Sequence, residues 1–193
     1  LKKNVALKTL ASLICLAPVL AFGAGTAKEA DPDTVFLQKA SQGGIAEINS
    51  GRVAASQASN AAVKSLASML AQESARDQDT LRSLADSKSV VLPSTETPEQ
   101  SAKMSRVKGL SGDAFDRAYV GWQIMEHKQA IALFEEESTS GDDRDVKQFA
   151  TDTLPTLRAH LKLLEAVVLP PPAVAGQSPV GCCAGAAPAA STP

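Results

Sequence analysis

The chain of 193 residues is long enough for one domain with a sizeable core plus tails. Its 19 basic and 21 acidic residues leave a net charge of −2, which excludes the basic footprint of a nucleic-acid binder. Five Phe, one Tyr and one Trp beside abundant Ala favour helices packed through small side chains over a sheet rich in β-branched and aromatic residues.

The chain opens on Lys2, Lys3 and Lys8, then an apolar run from Thr9 to Phe22, then small residues. This is the layout of a secretory signal peptide over residues 1–27, with cleavage expected after Gly23 or Ala27. The run falls short of the ~20 apolar residues that span a bilayer, so no transmembrane segment is expected in the processed chain. Cys15 follows Ile14, where a lipoprotein cleavage site wants a small residue, so lipidation is not expected. Loss of the three lysines takes the net charge from −2 to −5, that of a mildly acidic protein in the periplasm or outside the cell.

Four long helices are predicted between residues 31 and 169. The first runs from Asp33 to Ala58, opened by Asp31-Pro32-Asp33, with Gly43-Gly44 expected to weaken or kink its middle. The second starts at Ser59 or Asn60, both good caps, and reaches Lys88. A connector follows, with a short helix from Pro98 or Glu99 to Lys108. The third long helix begins after Ser111-Gly112-Asp113 and ends at Ser138. The fourth goes from Asp142 or Asp143 to Leu169, with a bend expected at Pro155. Beyond it, residues 170–193 hold six of the eleven prolines with Gly, Ala and Ser, the composition of a disordered tail. Cys182 and Cys183 lie in that tail. Adjacent cysteines close only a strained ring, so an intermolecular bridge or idle thiols are expected rather than a metal site.

Apolar residues recur at three-to-four spacing on all four helices, as in Val63, Leu66, Leu70 and Leu81, or Val120, Ile124, Ile131 and Phe134. The natural solution is all-α, an antiparallel four-helix bundle. Each apolar stripe is broken near its middle by polar residues: Glu47 on the first helix, Glu73, Ser74 and Asp77 on the second, His127 on the third and His160 on the fourth. Helix midpoints in an up-and-down bundle share a level, so these groups are expected to converge.

Two arrangements satisfy a converging polar layer, because buried polar groups must be paired. One is a hydrogen-bonded network that fixes helix register, with the histidines donating to Glu47 and Asp77. The other is a metal site for zinc, iron or manganese, with Glu47, His127 and His160 as three ligands and Glu73 or Asp77 as a fourth. Spacing alone favours the network. Neither histidine carries the Glu-x-x-His spacing of di-iron bundles, since Ile124 and Leu157 occupy the relevant positions. No phosphate-cradling glycine loop, Cys-x-x-Cys or His-Glu-x-x-His is present, and nothing in the sequence argues for an enzyme.

The segments "FLQKASQGGIAEINSGRVAASQASNAAVKSLASML", "FDRAYVGWQIMEHKQAIALF" and "FATDTLPTLRAHLKLLEA" resemble the domain of unknown function 4142 family. The resemblance covers Asp33 to Val168. It implies a ferritin-like four-helix fold and export; members often carry a provisional outer-membrane-protein label. It also matches Glu47, His127 and His160 to residues typical of the family, with Glu73-Ser74 standing where members usually have Asp-His. A metal site implied by the family would here have lost one histidine, unless Asp77 substitutes. The outer-membrane label gains nothing from these residues, which show no alternating barrel strands. The expected function is therefore that of an exported bundle acting by binding, self-association or structural contact with the envelope. The alternative is a metal-binding or redox protein with a degenerate site.

Overall fold

The computed structural model describes residues 31–169; the expected signal peptide and tail, with Cys15, Cys182 and Cys183, lie outside the described residues. Five helices follow one another: α1 (Pro32–Gln57), α2 (Ala61–Ser87), α3 (Pro98–Lys108), α4 (Gly112–Ser140) and α5 (Arg144–Glu165). No strand occurs among the described residues.

Local chemistry sets the helix starts. The Asp31 carboxylate accepts from the Thr34 N–H, with Pro32 at the first helical position. Asn60 caps α2 through Ala62 and Val63, and Asp143 caps α5 through Asp145 and Val146. Thr97 and Gln100 close a capping box on α3. Gly112, which opens α4, has φ +55°, a backbone conformation that favours glycine.

One expectation needs correction. The last helix ends at Glu165, not Leu169: Ala166 caps it, and Val167 and Leu169 beyond it pack on the core. α1 runs as one helix through Gly43-Gly44. Gly44 makes room, because a Cβ there would lie 2.1 Å from Nε2 of Gln78. That amide crosses from α2 to donate to the Ser41 carbonyl at 2.8 Å. Gly51 serves a similar end, since a Cβ there would lie 2.7 Å from the Ala67 carbonyl oxygen. The small-residue stripe of α1 thus lets α1 and α2 approach backbone to backbone.

The long helices form two hairpins, α1–α2 and α4–α5, joined through contacts of α1 with α4 and of α2 with α5. Short α3 lies against α1 and α4. Its Gln100 and the indole N–H of Trp122 each donate to one oxygen of Glu126, at 2.9 Å.

Each hairpin turn is held by a buried carboxylate from the other hairpin. Asp116 of α4 accepts from the backbone N–H groups of Ser59 and Asn60 and from the Ser59 hydroxyl, at 3.0, 2.8 and 2.6 Å. Asp33 of α1 accepts from the backbone N–H groups of Asp142 and Asp143, at 3.0 and 2.6 Å.

The core falls into two apolar clusters. One gathers Ala54, Val63, Ala67, Phe115, Tyr119, Val120 and Trp122; the other gathers Phe36, Leu37, Leu81, Phe134, Val146, Ala150 and Leu154. Between them along the helices lie buried Ser50, Ser74, Gln123, His127 and His160. The polar interruptions of the four stripes therefore meet as one layer.

Candidate metal centre

His127 projects from α4 into this layer and is 3% exposed. Its Nδ1 lies 2.9 Å from the backbone carbonyl of Gln123, one turn back. A carbonyl only accepts, so Nδ1 carries the proton and, in the neutral ring, Nε2 presents a lone pair. Nε2 stands 3.2 Å from Oε1 of Glu47 without meeting hydrogen-bond geometry.

His160, from α5, is equally buried. Its Nε2 donates to Oε2 of Glu73 at 2.6 Å, so in the neutral ring Nδ1 is the lone-pair nitrogen, buried and unpartnered. The two imidazoles meet edge to face with centroids 5.6 Å apart.

Glu47 enters from α1, its side chain only 12% exposed. Ser74 donates its hydroxyl to Oε2 at 2.6 Å, fixing that oxygen and leaving Oε1 unpartnered. Burial opposes charge on both Glu47 and His127. Their mutual attraction outweighs it, aided on Glu47 by the Ser74 hydroxyl, and holds the carboxyl below its ordinary range and the imidazole above its own.

Three buried atoms in this layer thus lack a hydrogen-bond partner: Glu47 Oε1, His127 Nε2 and His160 Nδ1. One ligand atom from each of these residues lies within 4.8 Å of the others, the one such group of three among the described residues. Ligands bound at about 2.0–2.2 Å in tetrahedral geometry stand ~3.4 Å apart, so small side-chain rotations would close the set. The remaining nitrogen of each imidazole is already anchored, His127 by a carbonyl and His160 by a carboxylate. Such outer partners fix the tautomer and ring plane of metal-bound histidines.

The other predicted residues take different places. Glu73 sits on the far side of His160 from the lone-pair nitrogen, so it supports that ring. Asp77 is half-buried beside the cluster, outside the group of three, and His160 pairs with Glu73 rather than Asp77. Burial raises the Asp77 carboxyl, with the charges of Glu47 and Glu73 adding to the rise and His160 opposing it. Sequence reasoning missed Gln123, whose carbonyl orients His127 and whose amide donates to Ser50 at 2.7 Å. Its place one turn before His127 on the inward face was the available signal.

A cavity of about 340 Å³ adjoins the cluster. Glu47, Ser74, Asp77, Gln123 and His127 line its polar part; Leu81, Leu133, Phe134, Phe149 and Leu157 line the rest, while His160 stays out of its wall.

Fold and site together define a protein of four long helices whose interior carries a histidine–carboxylate cluster. The chain belongs to the DUF4142 family, a domain of unknown function, whose sequence pattern matches residues 20–167. The residues that carried the family resemblance lie within that span. Two solved structures share the fold at 15% identity. One is a DUF305 protein of Streptomyces coelicolor, provisionally named a secreted protein, with a TM-score of 0.59 over 69% of this chain and 88% of that one. The other is a DUF305 fragment from Deinococcus radiodurans, with a TM-score of 0.62 over 69% of this chain and 93% of that one. A search of curated proteins finds no match. No helix among the described residues is long and apolar enough to cross a membrane.

Proposed function

We propose that this chain is an exported, ferritin-like four-helix protein that binds a single divalent transition-metal ion through Glu47, His127 and His160. One observation carries the reading. A self-contained hydrogen-bond layer would pair its buried atoms, whereas here Glu47 Oε1 and His127 Nε2 meet only each other, at 3.2 Å and outside hydrogen-bond geometry, and His160 Nδ1 has no partner, while every other nitrogen and oxygen of the three side chains is hydrogen-bonded. Two imidazoles and one carboxylate suit zinc, iron or manganese better than calcium or magnesium, which prefer all-oxygen shells. With three protein ligands, such an ion keeps coordination positions open and supplies Lewis-acid or redox chemistry there. Glu73 and the Gln123 carbonyl orient the rings, and Ser74 holds the second carboxylate oxygen. Ser74 also accounts for the site having three ligands, since it stands where the family resemblance places a histidine.

Export is supported by the basic-then-apolar start of the sequence and by the provisional naming of the Streptomyces coelicolor neighbour. The domain is taken as residues 31–169, followed by the Pro/Ala-rich tail. The second reading is a non-catalytic structural or envelope-associated bundle, in which the layer only fixes register. The 2.6 Å bond from His160 to Glu73 and the attraction of His127 to Glu47 favour it.

Elemental analysis of protein purified from zinc-, iron- or manganese-supplemented medium separates the two. The metal reading expects about one ion per chain, lost in His127→Ala and in His160→Ala. Trp122, the only tryptophan of the chain, lines the same cavity as His127, so its fluorescence should report the titration. Metal-free protein with a fluorescence indifferent to added metal overturns the proposal and leaves the register layer.

A further inference from the structure

Resting on the metal reading, we infer that the cavity beside the cluster seats a small monocarboxylate whose head group occupies an open coordination position and whose short apolar tail lies along the bundle axis. Two of the three ligand residues, Glu47 and His127, line the cavity, so its polar part is the side from which a further ligand reaches the ion. From that layer the cavity follows the helices in one direction. Ala40, Leu81 and Phe134 line it one heptad beyond Glu47, Ser74 and His127, a distance of about 10 Å along the axis. The far wall is completed by Leu133, Phe149 and Leu157.

The cavity thus carries its coordinating function at one end only, and its far end is mainly apolar, with Thr153 and the exposed Lys39 at its margin. Its volume of about 340 Å³ sits at the lower bound of small-molecule sites, ~300 Å³, which favours one unbranched or singly ringed tail. A divalent ion facing one Glu47 carboxylate retains one positive charge, which a single carboxylate head neutralises. Lys39, the one lysine lining the cavity, is exposed and stands beside Ala40 at the end away from the cluster, so the positive charge that meets the head group is the ion's. Of the other acidic groups in the cavity wall, Glu126 is engaged by Trp122 and Gln100, and burial disfavours charge on Asp77.

The test uses the full chain loaded with cobalt(II), whose visible absorption reports coordination, titrated with acetate and octanoate. Both carboxylates should perturb the cobalt bands, octanoate at a concentration at least about tenfold lower, since each buried methylene adds to affinity. Ala40→Phe should fill the apolar end, keep the cobalt spectrum and the acetate response, and bring octanoate back toward acetate. Ala130→Leu, on the opposite wall, serves the same purpose should Ala40→Phe fail to fold. Cobalt bands present but indifferent to both carboxylates, or equal affinity for the two, overturn the ligand assignment alone. Octanoate bound equally by His127→Ala without metal also overturns it, because the head would then lie elsewhere. Failure to take up cobalt at all overturns the metal reading and this inference with it.

Discussion

Glu73→Gln separates a supporting residue from a ligand. The substitution keeps the shape and an amide oxygen that can still accept from His160 Nε2, so the ring keeps its tautomer and Nδ1 stays a lone-pair donor. What it removes is the negative charge 2.6 Å from the ring. A carboxylate partner raises the basicity of a metal-bound imidazole, and loss of such outer-shell partners costs about 10–100-fold in metal affinity. That corresponds to about 1.4–2.7 kcal/mol of binding free energy. The metal-free fold should barely notice, because the Glu73 side chain is 35% exposed and its replacement still makes the bond. The assay is a zinc titration followed by Trp122 fluorescence, with thermal melts in chelator and in excess zinc. Wild type should melt higher in zinc, the increment growing with the logarithm of free metal over Kd. Glu73→Gln should match wild type in chelator and fall below it at sub-saturating zinc. Unchanged affinity would show that the charge on Glu73 plays no part. An equal drop in chelator and in zinc would show that the residue serves stability alone.

Other consequences concern the frame that holds the site. Gly43→Ala and Gly44→Ala should differ in sign. An added Cβ meets nothing within 4 Å at Gly43, so the helix gains up to ~1 kcal/mol there. At Gly44 it displaces the Gln78 amide, at a cost of about 1–3 kcal/mol that outweighs the same gain, and thermal melts read both. Asp116→Ala strips three donors of the α1–α2 turn of a buried acceptor and should cost about 3–5 kcal/mol by urea unfolding; a change below ~1 kcal/mol would refute the clamp. Burial, together with the neighbouring Asp33, pushes the Glu137 carboxyl up to about 7. The folded chain therefore holds a proton there that the unfolded chain releases at the ordinary value of 4.5. That group's contribution to stability is lost as pH rises between those two values. Glu137→Gln should flatten that slope in melts taken across this range, and a slope unchanged by the substitution would exclude Glu137 as its source.

The helices were legible because their signals are local: Asp31, Asn60 and Asp143 are caps that stand out without coordinates. The polar layer was legible as a level, since periodicity puts Glu47, Ser74, His127 and His160 inward. Which nitrogen of each histidine remains free was not, because that depends on partners across the bundle. The choice of Glu73 over Asp77 as the partner of His160 turns on the rotation of α2 against α5. The apolar stripe read through Leu66 and Asp77 was rotated slightly from the true one, which buries Ala67 and Gln78 instead and leaves Leu66 and Asp77 half-buried.

One pattern present in the sequence becomes visible only through the hydrogen bonds. Asp33 and Asp116 are separated by the same interval as the caps Asn60 and Asp143, and each carboxylate clamps the turn of the opposite hairpin. Val63 and Val146, Ala67 and Ala150, and Leu81 and Leu164 repeat at that interval, all buried. The bundle is thus two copies of one helical hairpin packed about an approximate two-fold, and the equivalence exposes where they part company. At that interval His127 answers to Gly44, and His160 to Asp77. Both histidines belong to the second hairpin. The first gives up side-chain volume at Gly44, which admits Gln78, and contributes Glu47, whose counterpart in the second hairpin is Ala130. A layer kept only to fix register between equivalent hairpins would have no need of this division, with nitrogen donors on one side and a carboxylate on the other. A three-ligand metal site that opens on one flank into a cavity would use such an asymmetry, and Gly44 and Asp77, the first-hairpin counterparts of the two histidines, form part of the wall of that cavity.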